Sequence, residues 1–328
     1  MSTDARITRR GGGIVTEQES TSLPMRYEPR LIEEAVFLAL RGHPDARIFH
    51  RKRNRLYEII APEERERAFQ EIHRSWFLRL GLADQIEKAV QEFPLLHSTV
   101  RCCVVARSQG KRDEGAELFI DPEERPSEKD RRTVRILLRP ESLLDPVALL
   151  MFLRHELLHI TDMLDSHFNY EPVLPVAEAG PAYDNLLRDR YRTLWDTTIS
   201  GRMVRRGWAP ASVRTDRLDE FARVFPMLGE QTAQVFSQFF DQEQHTHGKL
   251  IAFAYNPRAA LGGSRERPYL GSRCSLCGFP TYVFEPNPER LPAEVISRIC
   301  KDFPQWRTVQ GLCRQCADLY RTGVLNNI

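Results

Sequence analysis

The stretch from Asp145 to Leu164 restricts this chain more than any other: Asp-Pro-Val-Ala-Leu-Leu-Met-Phe-Leu-Arg-His-Glu-Leu-Leu-His-Ile-Thr-Asp-Met-Leu. Asp145 is a good N-cap, and Pro146 suits the first helical position, where its missing N–H costs nothing. From Val147 onward the residues are apolar almost all the way round, which predicts a helix buried inside a domain. Charges interrupt the run too soon for a membrane span. His155 and His159 stand four apart, so they share one helical face and can reach the same metal ion. Glu156 is beside the first histidine, placed to reach a water at that ion rather than the ion itself. A buried helix with three ionisable groups in under two turns needs a reason. Zinc ligation supplies one; two core histidines satisfied by carboxylates are the alternative.

A length of 328 residues accommodates one large or two modest domains, and a hydrophobic fraction of 41% is enough for a core. A net charge of +2 gives no global electrostatic case for nucleic-acid or membrane binding. Residues 1–6 lack the apolar region of a signal peptide, and no segment reads as a bilayer span, so a cytoplasmic protein is expected. Four of the seven cysteines form two Cys-x-x-Cys pairs, which in a reducing compartment points to metal rather than disulfides. Cys102, Cys103 and Cys300 are left over and read as core packing.

Taken in order, residues 1–24 are polar, include Gly11-Gly12-Gly13, and are expected to be a disordered tail. Helices are expected over 29–40, 62–80 and 84–93. The basic stretch 47–55 (Arg47, Arg51, Lys52, Arg53, Arg55) reads as a solvated loop or edge strand, with anion or nucleic-acid binding as the sharper reading. Strands are expected over 99–105, 116–120 and 133–138, the last two stopped by Asp121-Pro122 and Pro140. Turn formers fill 165–172. Amphipathic helices follow over 183–206, 213–225, 231–240 and 245–254, and Gly262-Gly263-Ser264 reads as a linker.

Near the C-terminus, Cys274-Ser275-Leu276-Cys277-Gly278 and Cys313-Arg314-Gln315-Cys316 make a second strong signal. Two such pairs build a tetrahedral four-thiolate site, and structural zinc is expected on Cys274, Cys277, Cys313 and Cys316. A strand over 281–284, a helix over 293–303 and a final helix over 317–321 give the module a likeness to a treble clef or elaborated zinc ribbon. Its arginines, with Trp306 and Tyr282, leave nucleic-acid binding open.

A catalytic zinc takes three protein ligands. Beyond His155 and His159 the candidates are Asp165, His167, Glu178, Asp196 and Glu220. Asp165 has the metzincin spacing, but Asp162 stands where that family has its turn glycine. Three strands, a His-Glu-x-x-His helix and a second helix resemble the gluzincin branch of the zincin metallopeptidases. That resemblance implies an acidic ligand on the downstream helix, and Asp196 is chosen, with Asp165, Asp162 and Glu220 as alternatives. Asp162 shares the face of His155 and His159 and is expected to accept an imidazole N–H. The resemblance also implies a peptide or protein substrate, a zinc-activated water, Glu156 as general base, and an oxyanion donor among Tyr170, Tyr183, His245 and His247. The motif order further resembles the SprT-like family.

The expectation is thus an α+β chain with two zinc ions, one catalytic and one structural. Residues 25–262 would form a mostly helical zincin-like domain with a small, about three-stranded sheet. Its sheet and motif helix would span 99–165 and its helical part 183–256; residues 268–328 would form the four-cysteine module. A non-catalytic zinc protein binding protein or nucleic acid through that module is the alternative.

Overall fold

A four-stranded sheet and the helix that crosses it place the histidines. The computed structural model describes residues 23–123, 125–172, 181–257, 273–279, 281 and 283–325. The strands β1 (Met25–Tyr27), β2 (Cys102–Arg107), β3 (Gly115–Ile120) and β4 (Arg132–Leu138) lie in the order β1-β2-β4-β3. β1 pairs with β2, and β2 with β4, in parallel; β3 pairs antiparallel to β4, with Ala116 opposite Ile136, and forms an edge. The fold is α+β and mostly helical, as expected, with one strand more than the alternation reveals. β1 has three residues, too few to show a period of two.

Thirteen α-helices are described: α1 (Pro29–Ala39), α2 (Ala46–Arg55), α3 (Pro62–Arg79), α4 (Asp84–Gln91), α5 (Pro94–Thr99), α6 (Glu128–Arg131), α7 (Pro146–Leu164), α8 (Pro181–Arg205), α9 (Val213–Val224), α10 (Thr232–Phe240), α11 (His247–Tyr255), α12 (Ala293–Asp302) and α13 (Arg314–Leu325). None is long and apolar enough to cross a membrane. Prolines open α1, α3, α5 and α7. Asp145 caps α7 by accepting the Ala148 N–H at 3.0 Å.

Several boundaries differ from the sequence expectation. The basic stretch 47–55 is helix α2, neither loop nor edge strand, because it buries Phe49 completely. The 99–105 strand starts later, at Cys102, since residues 94–99 form α5. Leu23 is buried, and the Pro24 carbonyl accepts the Cys103 N–H at 2.9 Å, so these two residues belong to the sheet layer and not to a tail. Residues 1–22 and the expected linker Gly262-Gly263-Ser264 lie outside the described residues. Cys316 sits inside the first turn of α13, which opens at Arg314.

Helix α7 buries Leu149, Leu153, Leu157, Leu158 and Ile160. It is not buried all round: Val147 is 80% and Met151 40% exposed, at the end nearer the N-cap. Arg154 fixes its rotation. The guanidinium grips both Glu92 oxygens at 2.7 and 2.6 Å, just past the end of α4, and lies 4.8 Å from the Trp208 ring. Such a two-point fork resists turning of the helix about its axis. Leu153 and Leu157 face the core on the other side, so His155 and His159 emerge at a set angle.

Helix α8 runs against α7, α9, α10 and α11. Its Gly201 meets the Phe240 carbonyl at the end of α10 so closely that a Cβ there would overlap backbone atoms. A second, separate core gathers Cys274, Leu291, Val295, Ile299, Trp306, Leu312, Cys313 and Ala317.

Candidate metal centre

His155 and His159 project from one face of α7, their ring centroids 5.0 Å apart. Asp196 comes from α8 to meet them. Its Oδ1 lies 3.0 Å from His159 Nε2 and 3.8 Å from His155 Nε2. The three ligand atoms all fall within 4.8 Å of one another. A tetrahedral ion with ligand bonds of about 2.0–2.1 Å needs donor separations of about 3.3–3.4 Å. The observed distances bracket that value. His155 Nε2 is buried and has no hydrogen-bond partner. A buried imidazole nitrogen without a partner is costly in a protein interior, and a metal ion in line with Asp196 would satisfy it. The donor set therefore fits zinc.

Glu156 sits at the mouth of this group. Its Oε1 accepts from His155 Nδ1 at 3.1 Å and its Oε2 from the Ala116 backbone N–H at 3.1 Å. In the neutral imidazole a proton on Nδ1 leaves the lone pair on Nε2, so Glu156 selects the tautomer a metal ligand needs. Burial pushes the Glu156 carboxyl up. Hydrogen bonding and charge from His155, the Ala116 N–H and the charge of His159 outweigh it and hold the group below its ordinary value. Asp196 behaves alike: burial raises it, and His159, His155 and Arg217 bring it below the ordinary carboxylate range. Both carboxylates are thus anionic at neutral pH.

Asp162 does not do what its helical position suggests. Its carboxylate accepts the Trp195 indole N–H at 2.7 Å and the Arg202 guanidinium at 2.7 and 2.6 Å. The expectation of an imidazole N–H on Asp162 is corrected. The reason is that α8 delivers a bidentate cation and an indole donor, which together occupy the carboxylate. The effect on the histidines is indirect. Trp195 packs edge-on against His159, with centroids 4.6 Å apart, so Asp162 holds the ring that holds the ligand. Trp195 and Arg202 are seven apart and lie on one face of α8, a spacing visible in the sequence but meaningless without the partner helix.

The other third-ligand candidates lie elsewhere. Asp165 accepts the His167 backbone N–H at 2.8 Å just past the end of α7, and His167 is exposed. Glu220 pairs with Arg217 at 2.6 Å. Glu178 and the Tyr183 side chain are outside the described residues. Among the oxyanion candidates, Tyr170 packs at a tilt against Trp195 with centroids 5.5 Å apart. His245 is committed to the Phe239 carbonyl at 3.1 Å and His247 to the Tyr191 hydroxyl at 2.7 Å. Sequence reasoning missed the edge-strand contribution: Ala116 binds Glu156, and Gly115 passes so near that a Cβ would lie 3.3 Å from Glu156 Oε2.

The four cysteines form a second group that could hold a metal ion. Cys274 and Cys316 sulfurs are 3.9 Å apart, as are those of Cys277 and Cys313, and all four lie within 4.8 Å. Zinc–sulfur bonds of about 2.3 Å place tetrahedral sulfurs about 3.8 Å apart. Backbone N–H groups of Leu276 and Cys313 point at the Cys274 sulfur at 3.4 and 3.2 Å. Burial raises the Cys274 thiol, but these N–H groups, with the Cys277 thiol, lower it to about 7. Burial and the neighbouring thiols raise Cys313 and Cys316, so it is the spacing of the four sulfurs that lets the cluster hold a structural ion such as zinc. Cys102 and Cys103 are buried on β2, and Cys300 packs against the small core.

Compared with models of known families, with curated proteins and with solved structures, the chain matches none.

Proposed function

We propose that the protein is a zinc-dependent peptidase, with His155, His159 and Asp196 as metal ligands and Glu156 as general base. One observation carries the reading: two histidines and a carboxylate converge within bonding distance of one ion, and a tethered, anionic glutamate adjoins them. A zinc ion bound there supplies Lewis acidity, acidifying water and polarising a carbonyl.

The chain's own residues do the rest. Ala116 directs its N–H away from β4, toward Glu156. By the alternation of an antiparallel ladder, the free edge of β3 also carries the N–H and C=O of Leu118. An extended peptide adding to that edge would run its backbone past Glu156. Glu156 would accept a proton from water as the new C–O bond forms. It would return that proton to the amine nitrogen as the C–N bond breaks. His155 Nδ1–H and the Ala116 N–H keep the carboxylate aimed throughout. The four-cysteine group is assigned a structural role as a module of its own.

Glu156→Gln keeps the shape and loses the base. Cleavage of an unstructured protein should fall by about 10²–10⁴-fold, with two zinc ions per chain retained. Undiminished cleavage would remove Glu156 from the mechanism. A wild-type protein that binds zinc at His155 and His159 but cleaves nothing would favour the non-catalytic alternative.

A further inference from the structure

A second concave site lies far along the chain from the histidines. Tyr27, Pro29, Arg30, Ile32, Glu33, Arg53, Phe69, His73 and their neighbours on α3 line a cavity of about 720 Å³, enclosed by the end of β1 with α1, α2 and α3. That is within the range of about 300–1,000 Å³ typical of small-molecule sites.

The unusual group is Arg53. It belongs to the basic helix α2, which carries Arg47, Arg51, Lys52, Arg53 and Arg55 and no carboxylate. The other four cations are exposed. Arg53 turns inward, its guanidinium carbon 5.2 Å from the Phe37 ring, 5.6 Å from Tyr57 and 5.2 Å from Phe69. Aromatic faces stabilise the charge, but they accept none of the in-plane N–H groups. Among the described residues no carboxylate lies within 4 Å of Arg53 and no acceptor takes its N–H groups, and its Nε is buried. A guanidinium has five donors in a rigid plane, a fork matched to two oxygens of a phosphate or carboxylate.

His73 stands beside it. The ring is 4% exposed, packed on Phe37, Phe49 and Phe69, and its Nε2 has no partner. Burial and the Arg53 charge lower its pKa while Glu33, the Phe69 carbonyl and Glu66 oppose them, so the ring is neutral and its free Nε2 is a lone-pair acceptor beside Arg53. Two buried nitrogen atoms without partners, one cationic, line the same cavity. Leaving such groups unsatisfied is costly. Tyr27 and Phe69 share the lining with the charged side chains of Arg30, Arg67 and Arg74, and a ligand oxygen would complete the Arg53 donors. Three carboxylates also line the cavity: Glu33 is half-buried, and Glu66 and Glu71 are exposed.

We propose that this cavity binds a small molecule through a phosphate or carboxylate group, with Arg53 as the bidentate donor and Tyr27 and Phe69 beside the ligand's apolar part. The recessed guanidinium favours a small ligand over a polynucleotide, whose backbone would meet the exposed cations of α2 first. The site shares no residue with the metal group, so the two proposals stand or fall separately.

The test is calorimetric titration of the full chain with inorganic phosphate, phenyl phosphate and benzoate. Phenyl phosphate should bind with a Kd of about 1 mM or tighter, and more tightly than inorganic phosphate. The stronger of phenyl phosphate and benzoate identifies the anion type. Arg53→Met keeps the stem against the rings and should weaken binding at least about tenfold. Arg51→Met removes an equal charge from the exposed face and should change it less than about twofold. If Arg53→Met does not fold, the Arg53 Nε–H resonance of the wild type should still shift saturably on titration. No binding of any probe at about 10 mM, binding indifferent to Arg53→Met, an Arg53 resonance that does not move, or retention of DNA alone would each overturn the proposal.

Discussion

Asp162 shows how far a single residue can be read. Its spacing from His155 and His159 is correct for a shared face, yet its carboxylate is spent on Trp195 and Arg202. Both members of the ion pair are largely buried, with side chains 7% and 13% exposed. Removing one partner strands the other's charge in the interior. Asp162→Ala should therefore lower stability by about 3–5 kcal/mol, read as a shift in the urea midpoint. It should also weaken zinc binding through the loosened Trp195, by about 10–100-fold. His245 gives a pH prediction. Burial, with Lys249, Arg202 and Arg205 adding to it, pushes its pKa from 6.5 down to about 4. The folded state thus resists protonation that the unfolded chain accepts. Stability present above pH 6.5 should be lost as pH falls toward 4, by no more than about 3 kcal/mol. His245→Gln should flatten the slope of unfolding free energy against pH over that window; an unchanged slope would refute the assignment.

Among the helices, the contact between α8 and α10 depends on one missing methyl group. At Gly201 a Cβ would run into the Phe240 carbonyl, and Arg205 also donates to that carbonyl. Backbone on both sides cannot yield as a side chain can. Gly201→Ala should cost about 3 kcal/mol or more, seen in thermal or urea unfolding, although alanine is the better helix former. The same substitution at Gly248, which has open space around it, should instead be neutral or mildly stabilising, by less than about 1 kcal/mol. Helix α2 shows the opposite limit of sequence reading. Its cations dominate the pattern and suggest a solvated segment, while one buried aromatic, Phe49, decides that it is a helix packed on its neighbours.

Among the described residues two groups could hold a metal ion, one of histidines with a carboxylate and one of cysteines. Metal analysis of purified protein should give two zinc ions per chain. His155→Ala should lose one and Cys313→Ser the other, independently. A single zinc, insensitive to the histidine change, would refute the catalytic-site proposal. Chelation should unfold the small core around Trp306 before the main core, because eight buried residues enclose little apolar area and thiolate–metal bonds supply most of the missing stability.

Much was legible because it depends on neighbours close in the chain. The Asp145–Pro146 start of α7, the i,i+4 histidines, the adjacent glutamate and the two Cys-x-x-Cys pairs follow from helical period and ligand chemistry, which act over a few residues. The α+β class followed from strand alternation beside long amphipathic helices. What only the tertiary structure decided concerns partners far apart in sequence. It brings Asp196 to the histidines across 37 positions, turns Asp162 away to α8, sets Ala116 against Glu156 and encloses Arg53 in rings from three separate segments. No local propensity encodes those pairings. They arise when the Leu face of α7 and the aromatic faces of α2, α3 and α8 are buried together, and burial fixes which polar groups must then find each other.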